Sequence, residues 1–276
     1  MSIARSATHI HVSACNHDIN WLQKLSPDVT ITISGCLSEC HDESYGYLDF
    51  IVKHYDDLAS HIIFVHGHET ASHYDEPVQT AINRLLTTTY MRSVPFGGLF
   101  CRTNTVFAAS AWMAYHKDIP DRAPTELWEM AFSNTGVQMP PRWFYPCCGT
   151  FFVSRDAIRR HSKRTYEQLL SNLKQKVPEA LRHGVCGRIL ESGWASLFLP
   201  PRTNYTPPPH CTANGGCPGG VCERERQHDR RATFHAFYLI GGGVGALYGL
   251  AFVAHRQRRE ACARGCSACW RIACTE

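Results

Sequence analysis

The chain has 276 residues, 44% of them hydrophobic and 19% charged, a globular composition with enough apolar side chains for a real core. Its formal net charge of +4 is too small and too scattered for a nucleic-acid surface, so nucleic acid is not the expected partner. Residues 1–8 carry no long apolar run, and no cleavable secretory signal is expected there.

The first predicted element is a strand over Thr8-His9-Ile10-His11-Val12, where polar and apolar residues alternate. A short helix follows, capped by Asp18, with Trp21 and Leu22 turned inward. Val29-Thr30-Ile31-Thr32-Ile33 is a second strand, and the pair makes a parallel βαβ start. Residues 42–58 read as a helix, with Tyr47, Leu48, Ile51, Val52 and Tyr55 at three- and four-residue steps. Glu43 stands at its favoured acidic end.

The strand Ile62-Ile63-Phe64-Val65 ends in His66-Gly67-His68-Glu69, followed by His73, Tyr74 and Asp75. Ligands of open α/β sheets bind just beyond the carboxyl ends of strands, and chemistry is expected at this point. If the chain stays extended, His66 and His68 share one face, and Gly67 permits a turn or a close approach. Two readings stand side by side: His66, His68 and His73 as metal ligands, or histidines hydrogen-bonded at a domain rim.

A helix over 78–88 comes next, and the β-α-β-α-β-α order predicts a doubly wound sheet. Phe96-Gly97-Gly98-Leu99 reads as a turn and 107–115 as a short helix. Thr150-Phe151-Phe152-Val153 is a strand, and Ser154-Arg155-Asp156 opens a helix. A long amphipathic helix carries Tyr166, Leu169, Leu170 and Leu173. The last helix of the domain, 190–198, turns Leu190, Trp194, Leu197 and Phe198 inward. Cys15, Cys36, Cys40, Cys101, Cys147, Cys148 and Cys186 lack metal-finger spacing and read as small buried hydrophobes.

Prolines at 200–201 and 207–209 open a Pro/Gly/Cys-rich linker over 200–231, which contains the sequon Asn204-Tyr205-Thr206. Residues 232–254 hold no Asp, Glu, Lys or Arg and are long enough for one transmembrane helix. Gly241, Gly245 and Gly249 line one face of it, the small-residue surface on which membrane helices self-associate as a homodimer. The expected protein is single-pass. Its orientation is open, because the missing signal argues for a cytosolic domain and the basic cluster after the span argues the other way. Cys262, Cys266, Cys269 and Cys274 in the tail, 255–276, fit palmitoylation, disulfides, metal ligation or inert thiols.

Several motifs then assemble in one order: Asp18-Ile19-Asn20-Trp21-Leu22, Glu43-Ser44-Tyr45-Gly46-Tyr47-Leu48, residues 51–58, and Ile63-Phe64-Val65-His66-Gly67-His68. Far downstream come Cys147-Cys148-Gly149-Thr150-Phe151-Phe152-Val153-Ser154-Arg155, Tyr166-Glu167, and Glu191 with Trp194 and Phe198. Over roughly residues 8–199 the chain resembles the family called domain of unknown function 3431. The family's layout looks like that of GT-A nucleotide-sugar transferases, which implies an α/β domain over 1–199 with a Rossmann-like mixed sheet flanked by helices.

The resemblance further implies a nucleotide-sugar donor, a glycan or glycolipid acceptor, and a divalent metal. Where GT-A enzymes hold Asp-x-Asp for Mn²⁺, this chain holds His66-Gly67-His68, and imidazole suits Zn better than Mn. By the same analogy Asp18 and Glu43 bind the nucleotide, and Arg155, at the start of a helix whose free amides favour anions, is a candidate for the diphosphate. Two of them have a plainer alternative, a helix cap for Asp18 and a structural salt bridge for Arg155. Asp75 and Glu191 are the expected carboxylate bases; Glu191 on an amphipathic helix is otherwise solvent-facing. A Cys147 nucleophile is weighed against a packing role. The expected function is a membrane-anchored glycosyltransferase. A non-catalytic, membrane-displayed interaction domain and a His-based metallohydrolase are the alternatives.

Overall fold

The computed structural model describes residues 7–35, 43–71, 74, 76–100, 104–108, 124–140, 142–146, 149–182 and 187–200. His73, Asp75, Cys147, the linker from 201 with its sequon, the span 232–254 with Gly241, Gly245 and Gly249, and the cysteine-rich tail lie outside the described residues.

Strands β1 (Thr8–Ala14), β2 (Thr30–Gly35) and β3 (His61–His66) run parallel, and the central sheet has the order β2-β1-β3-β7-β4. β7 (Phe151–Ser154) is antiparallel to both β3 and β4 (Phe96–Gly98). The sheet is therefore mixed, with its parallel half at one side. β5 (Asn104–Ala108) and β6 (Arg142–Pro146) form a separate antiparallel pair.

Alternation along the strands divides the core into two layers. Ile62, Phe64, Phe151 and Val153 face one cluster, with Tyr47, Leu48 and Ile51 from α1 (Glu43–His54), Leu127 and Trp128 from α4 (Pro124–Phe132), Leu169 and Leu173 from α6 (Lys163–Gln175), and Trp194 and Phe198 from α8 (Leu190–Phe198). Ile10, Val12, Ile63, Val65 and Phe152 face the other. There they meet Trp21 of a 3₁₀ turn (Asn20–Lys24), Val78 and Ile82 of α2 (Val78–Thr87), and Tyr90 and Met91 of α3 (Tyr90–Ser93). Both faces are covered, which is why the strands read as near-continuous apolar runs.

The helical connection between β1 and β2 is a 3₁₀ turn, and Asp18 starts it by accepting the Asn20 N–H at 2.9 Å. Ser154 caps α5 (Arg155–Ile158) by accepting the Ala157 N–H at 3.2 Å. After α6 come α7 (Glu179–Arg182) and α8, the latter bounded as its apolar periodicity predicts.

Three expectations are corrected. Phe96-Gly97-Gly98 is not a turn but strand β4. A Cβ on Gly97 would sit 2.7 Å from Tyr90 Oη and 2.8 Å from the Phe152 ring, so the glycine serves close packing. Phe107 belongs to β5 rather than to a helix, because residues 104–108 pair with 142–146. Cys15, expected as a buried hydrophobe, is disulfide-bonded.

Candidate functional site at the carboxyl edge of the sheet

β1 stands between β2 and β3, so the chain leaves it in opposite directions along the sheet. The crevice beyond the carboxyl ends of β1 and β3 is the topological switch point, where ligands of such sheets bind. Ser13 pairs with His66 across this edge. The Gly67 N–H donates to the Ser13 carbonyl at 2.9 Å, and the Trp21 indole N–H donates to the Gly67 carbonyl at 2.8 Å. A Cβ on Gly67 would meet His17 Cβ at 2.9 Å and Ala14 Cα at 3.0 Å. Glycine is needed there so that the two strand exits can close on each other.

Fixing Gly67 sends the two flanking imidazoles to different partners. His66 Nε2 lies 3.4 Å from Glu43 Oε1, with both side chains only about one-sixth exposed (16% and 17%). His68 instead packs beside His17, ring centroids 3.8 Å apart, while the His66 and His68 rings are 6.2 Å apart. His17 Nδ1 accepts the Cys15 N–H at 3.2 Å. Its burial, and then the neighbouring His68, push its pKa below the ordinary imidazole value.

Opposite the Glu43–His66 pair stands Gly149, in the left-handed region at φ +59°. A Cβ there would come within 2.8 Å of Glu43 Oε1 and 3.0 Å of His66 Nε2. Next to Gly149, the buried Thr150 hydroxyl lies 3.5 Å from the Tyr74 hydroxyl. Burial pushes the Tyr74 phenol up to about 12, opposed by the Thr150 contact and reinforced by the charges of Glu43 and Glu191. Tyr74 is therefore a neutral hydroxyl at any physiological pH, and both carboxylates lie within electrostatic reach of it. Glu191, 4% exposed, is held by Arg188 at 3.7 Å.

Of the expected site residues, Glu43, His66, His68 and Glu191 gather at this edge. The alternative of a solvent-facing Glu191 is corrected by its burial. Asp18 is exposed, and its carboxylate is engaged in the backbone turn. Arg155 stands apart from this group. β7 runs antiparallel to β3, and its last residue, Ser154, pairs with His61, the first of β3. Arg155 thus stands at the opposite edge, about 16 Å along the strand from His66. His17, Gly149, Thr150, Tyr74 and Arg188 were not expected site residues. The available signal was a glycine placed directly before an apolar strand at Gly149, and a histidine three residues past the end of β1 at His17.

Of the expected metal ligands, His66 and His68 turn to different partners. His66 faces Glu43, His68 faces His17, and His73 lies outside the described residues. Among the described residues no three His, Cys, Asp or Glu side chains are grouped to hold a metal ion. Among them, too, no helix is long and apolar enough to cross a membrane.

A model of the family described as protein of unknown function, DUF3431, matches residues 13–223. No curated protein and no solved structure matches the chain.

Proposed function

We propose that this chain, which belongs to the DUF3431 family of proteins of unknown function, is a membrane-anchored glycosyltransferase-like protein that moves a sugar from a nucleotide-sugar donor to a glycan or glycolipid. The observation that carries the reading is the meeting of Glu43, His66, Tyr74, Thr150 and Glu191 at the switch point of the sheet. Carboxylates, an imidazole and two hydroxyls brought together at a sheet edge suit a polyhydroxyl ligand. They supply both acceptors and donors for sugar hydroxyls.

The leaving diphosphate needs positive charge. Arg188 is a cation that the structure brings to Glu191 at this edge.

Residues 232–254 anchor the domain, with Gly241, Gly245 and Gly249 as the face for a second copy. The disulfide at Cys15 supports placing the domain on the oxidising side of that membrane. The basic cluster after the span agrees with a cytosolic tail.

The test is a melting curve of the full-length protein in detergent against UDP- and GDP-activated sugars, with and without divalent metals. A ligand that binds the native state at a hundred times its Kd adds about 2.7 kcal/mol, a readily measured rise in Tm. The expected result is a rise with one nucleotide sugar that His66→Ala removes. No rise with any of them contradicts the reading and favours a binding domain displayed on the membrane.

A further inference from the structure

We infer that Arg155, Arg159, Arg160, Lys163 and Arg164 form a basic edge that rests on anionic lipid headgroups of the membrane holding the chain. The site at the opposite edge of the sheet then faces away from the bilayer. This rests on the anchored-transferase reading and chooses between its two acceptors, a glycan and a glycolipid.

The first argument is charge. The whole chain has a formal net charge of +4, yet residues 155–164 alone hold five cations and one carboxylate, Asp156. They occupy α5, the turn after it and the start of α6. Arg159, Arg160 and Arg164 are exposed, and the Arg155 and Lys163 side chains keep 42% and 37% of their surface. Arg92, near the end of α3, reaches the same edge. Burial first, and then the charges of Arg92 and Arg155, lower the pKa of His61 at the start of β3, against Asp156 and a bond to the Met91 backbone. Asp56 and Asp57, just past α1, offset only part of this surplus. Asp56 meets Lys163 at 3.1 Å, and Asp57 lies 3.5 Å from His54.

The second argument is how the guanidiniums are held. Arg159 Nη2 donates to the carbonyls of Tyr55 at 3.2 Å and Asp56 at 3.0 Å. Arg160 Nη1 donates to the Phe198 carbonyl at 3.3 Å. A carbonyl oxygen orients a guanidinium without neutralising it, so the charge stays available to a phosphate. The two side chains are ordered by the fold itself, which lowers the cost of ordering them on contact.

The third is where the chain leaves the domain. α8 carries Glu191 in its first turn, at the site, and ends at Phe198, whose carbonyl receives Arg160. In sequence, residues 201–231 lead from there to the uncharged stretch 232–254. The exit toward the anchor and the basic cluster therefore share one edge. Each Lys or Arg close to an anionic membrane surface strengthens the contact about fivefold, and the attraction fades within a screening length.

The consequence is an orientation. Ser154, next to Arg155, pairs with His61 at the start of β3, and His66 ends that strand about 16 Å away. With the basic edge on the headgroups, the Glu43–His66 edge opens to the aqueous side. The acceptor is then a glycan that reaches the site from that side. A sugar headgroup of the same leaflet would lie at the wrong edge.

The test uses the full-length protein in lipid nanodiscs, either of phosphatidylcholine alone or with about 30% phosphatidylserine. Hydrogen exchange is followed without nucleotide sugar, so the result does not depend on catalysis. On the anionic discs, exchange in residues 155–164 should be at least about fivefold slower, with 43–46 and 66–69 unchanged. The difference should vanish in about 1 M NaCl, where screening acts within about 3 Å. Arg155→Glu combined with Arg164→Glu should abolish it too. Both changes put a carboxylate into the first turn of a helix, where it is favoured, so the Tm should hold. Equal exchange on the two discs overturns the docking, and so does slowing that survives the two reversals. Slowing at 66–69 instead overturns the orientation. Protein that stays outside the discs overturns the anchor and the docking together. The nucleotide-sugar Tm screen decides the transferase separately: a rise there with equal exchange on the two discs removes the docking alone.

Discussion

The indole N–H of Trp21 donates to the carbonyl of Gly67 at 2.8 Å, across 46 residues of sequence. That bond ties the turn after β1 to the loop after β3, with Trp21 itself 1% exposed in the core. It holds the loop that sends His66 and His68 to separate partners. Trp21→Phe keeps most of the apolar surface but leaves the Gly67 carbonyl without its donor. The expected cost is about 1–3 kcal/mol. Urea denaturation should show the loss, and amides of residues 66–68 should exchange faster. Unchanged stability and exchange would show that the bond does not fix the loop.

Acid should destabilise the domain through two histidines on the α1 face of β1. His11, 3% exposed, meets the Thr32 hydroxyl through Nδ1 at 2.9 Å and the Ser34 hydroxyl through Nε2 at 3.2 Å. Its ring lies 4.4 Å from that of Phe50. Burial first, then the positive charges that His9, His54 and Lys53 carry when protonated, hold His11 down to about 3. Burial and then His54 hold His9 at about 4, with Asp57 opposing.

Both folded values lie below the unfolded value near 6.5. The unfolded chain therefore binds more protons between those limits, and stability is complete above pH 6.5 and lost as pH falls toward 3. For His11 alone the full loss is on the order of 5 kcal/mol, at about 1.36 kcal/mol for each pH unit. Urea midpoints at pH 7, 5.5 and 4.5 should fall in that order, and the slope should be shallower in His11→Asn. A flat profile would contradict the account of these rings.

Asn172 joins α6 to the end of α4. Its amide donates to the carbonyls of Ala131 at 2.8 Å and Ser133 at 2.7 Å, and the residue is 1% exposed. Asn172→Ala leaves two acceptors unpaired and should cost about 2–4 kcal/mol. Asn172→Asp should cost more, because a carboxylate would then face the same two carbonyls. Chemical denaturation of the two variants checks the ranking.

Much of the fold was legible in the sequence, where short-range chemistry decides it. Ile62-Ile63-Phe64-Val65 is apolar throughout because helices cover both sheet faces. Ser154 caps a helix as its hydroxyl predicts, and residues 190–198 form the helix that their apolar periodicity requires. The failures are tertiary. Phe96-Gly97-Gly98 looks like a turn because glycine's value there lies in the Tyr90 and Phe152 rings pressing on Gly97.

The site follows the same division. His66 at a strand end and Glu43 at a helix start were readable singly. That they face each other depends on how α1 crosses between β2 and β3. Arg155 stood close to Cys147-Cys148-Gly149 in the text, yet β7 carries it to the other edge. Strand direction is a property of the sheet, and no local pattern within Phe151-Phe152-Val153 reports it.

The central claim is that the ligand site lies at the Glu43–His66 edge. Hydrogen exchange of the full-length protein with and without the nucleotide sugar that raises its Tm tests this most directly. The account predicts slowed exchange in residues 43–46, 66–69 and 149–151, with residues 155–158 at the opposite edge unaffected. Protection at 155–158, with none at 66–69, would contradict it.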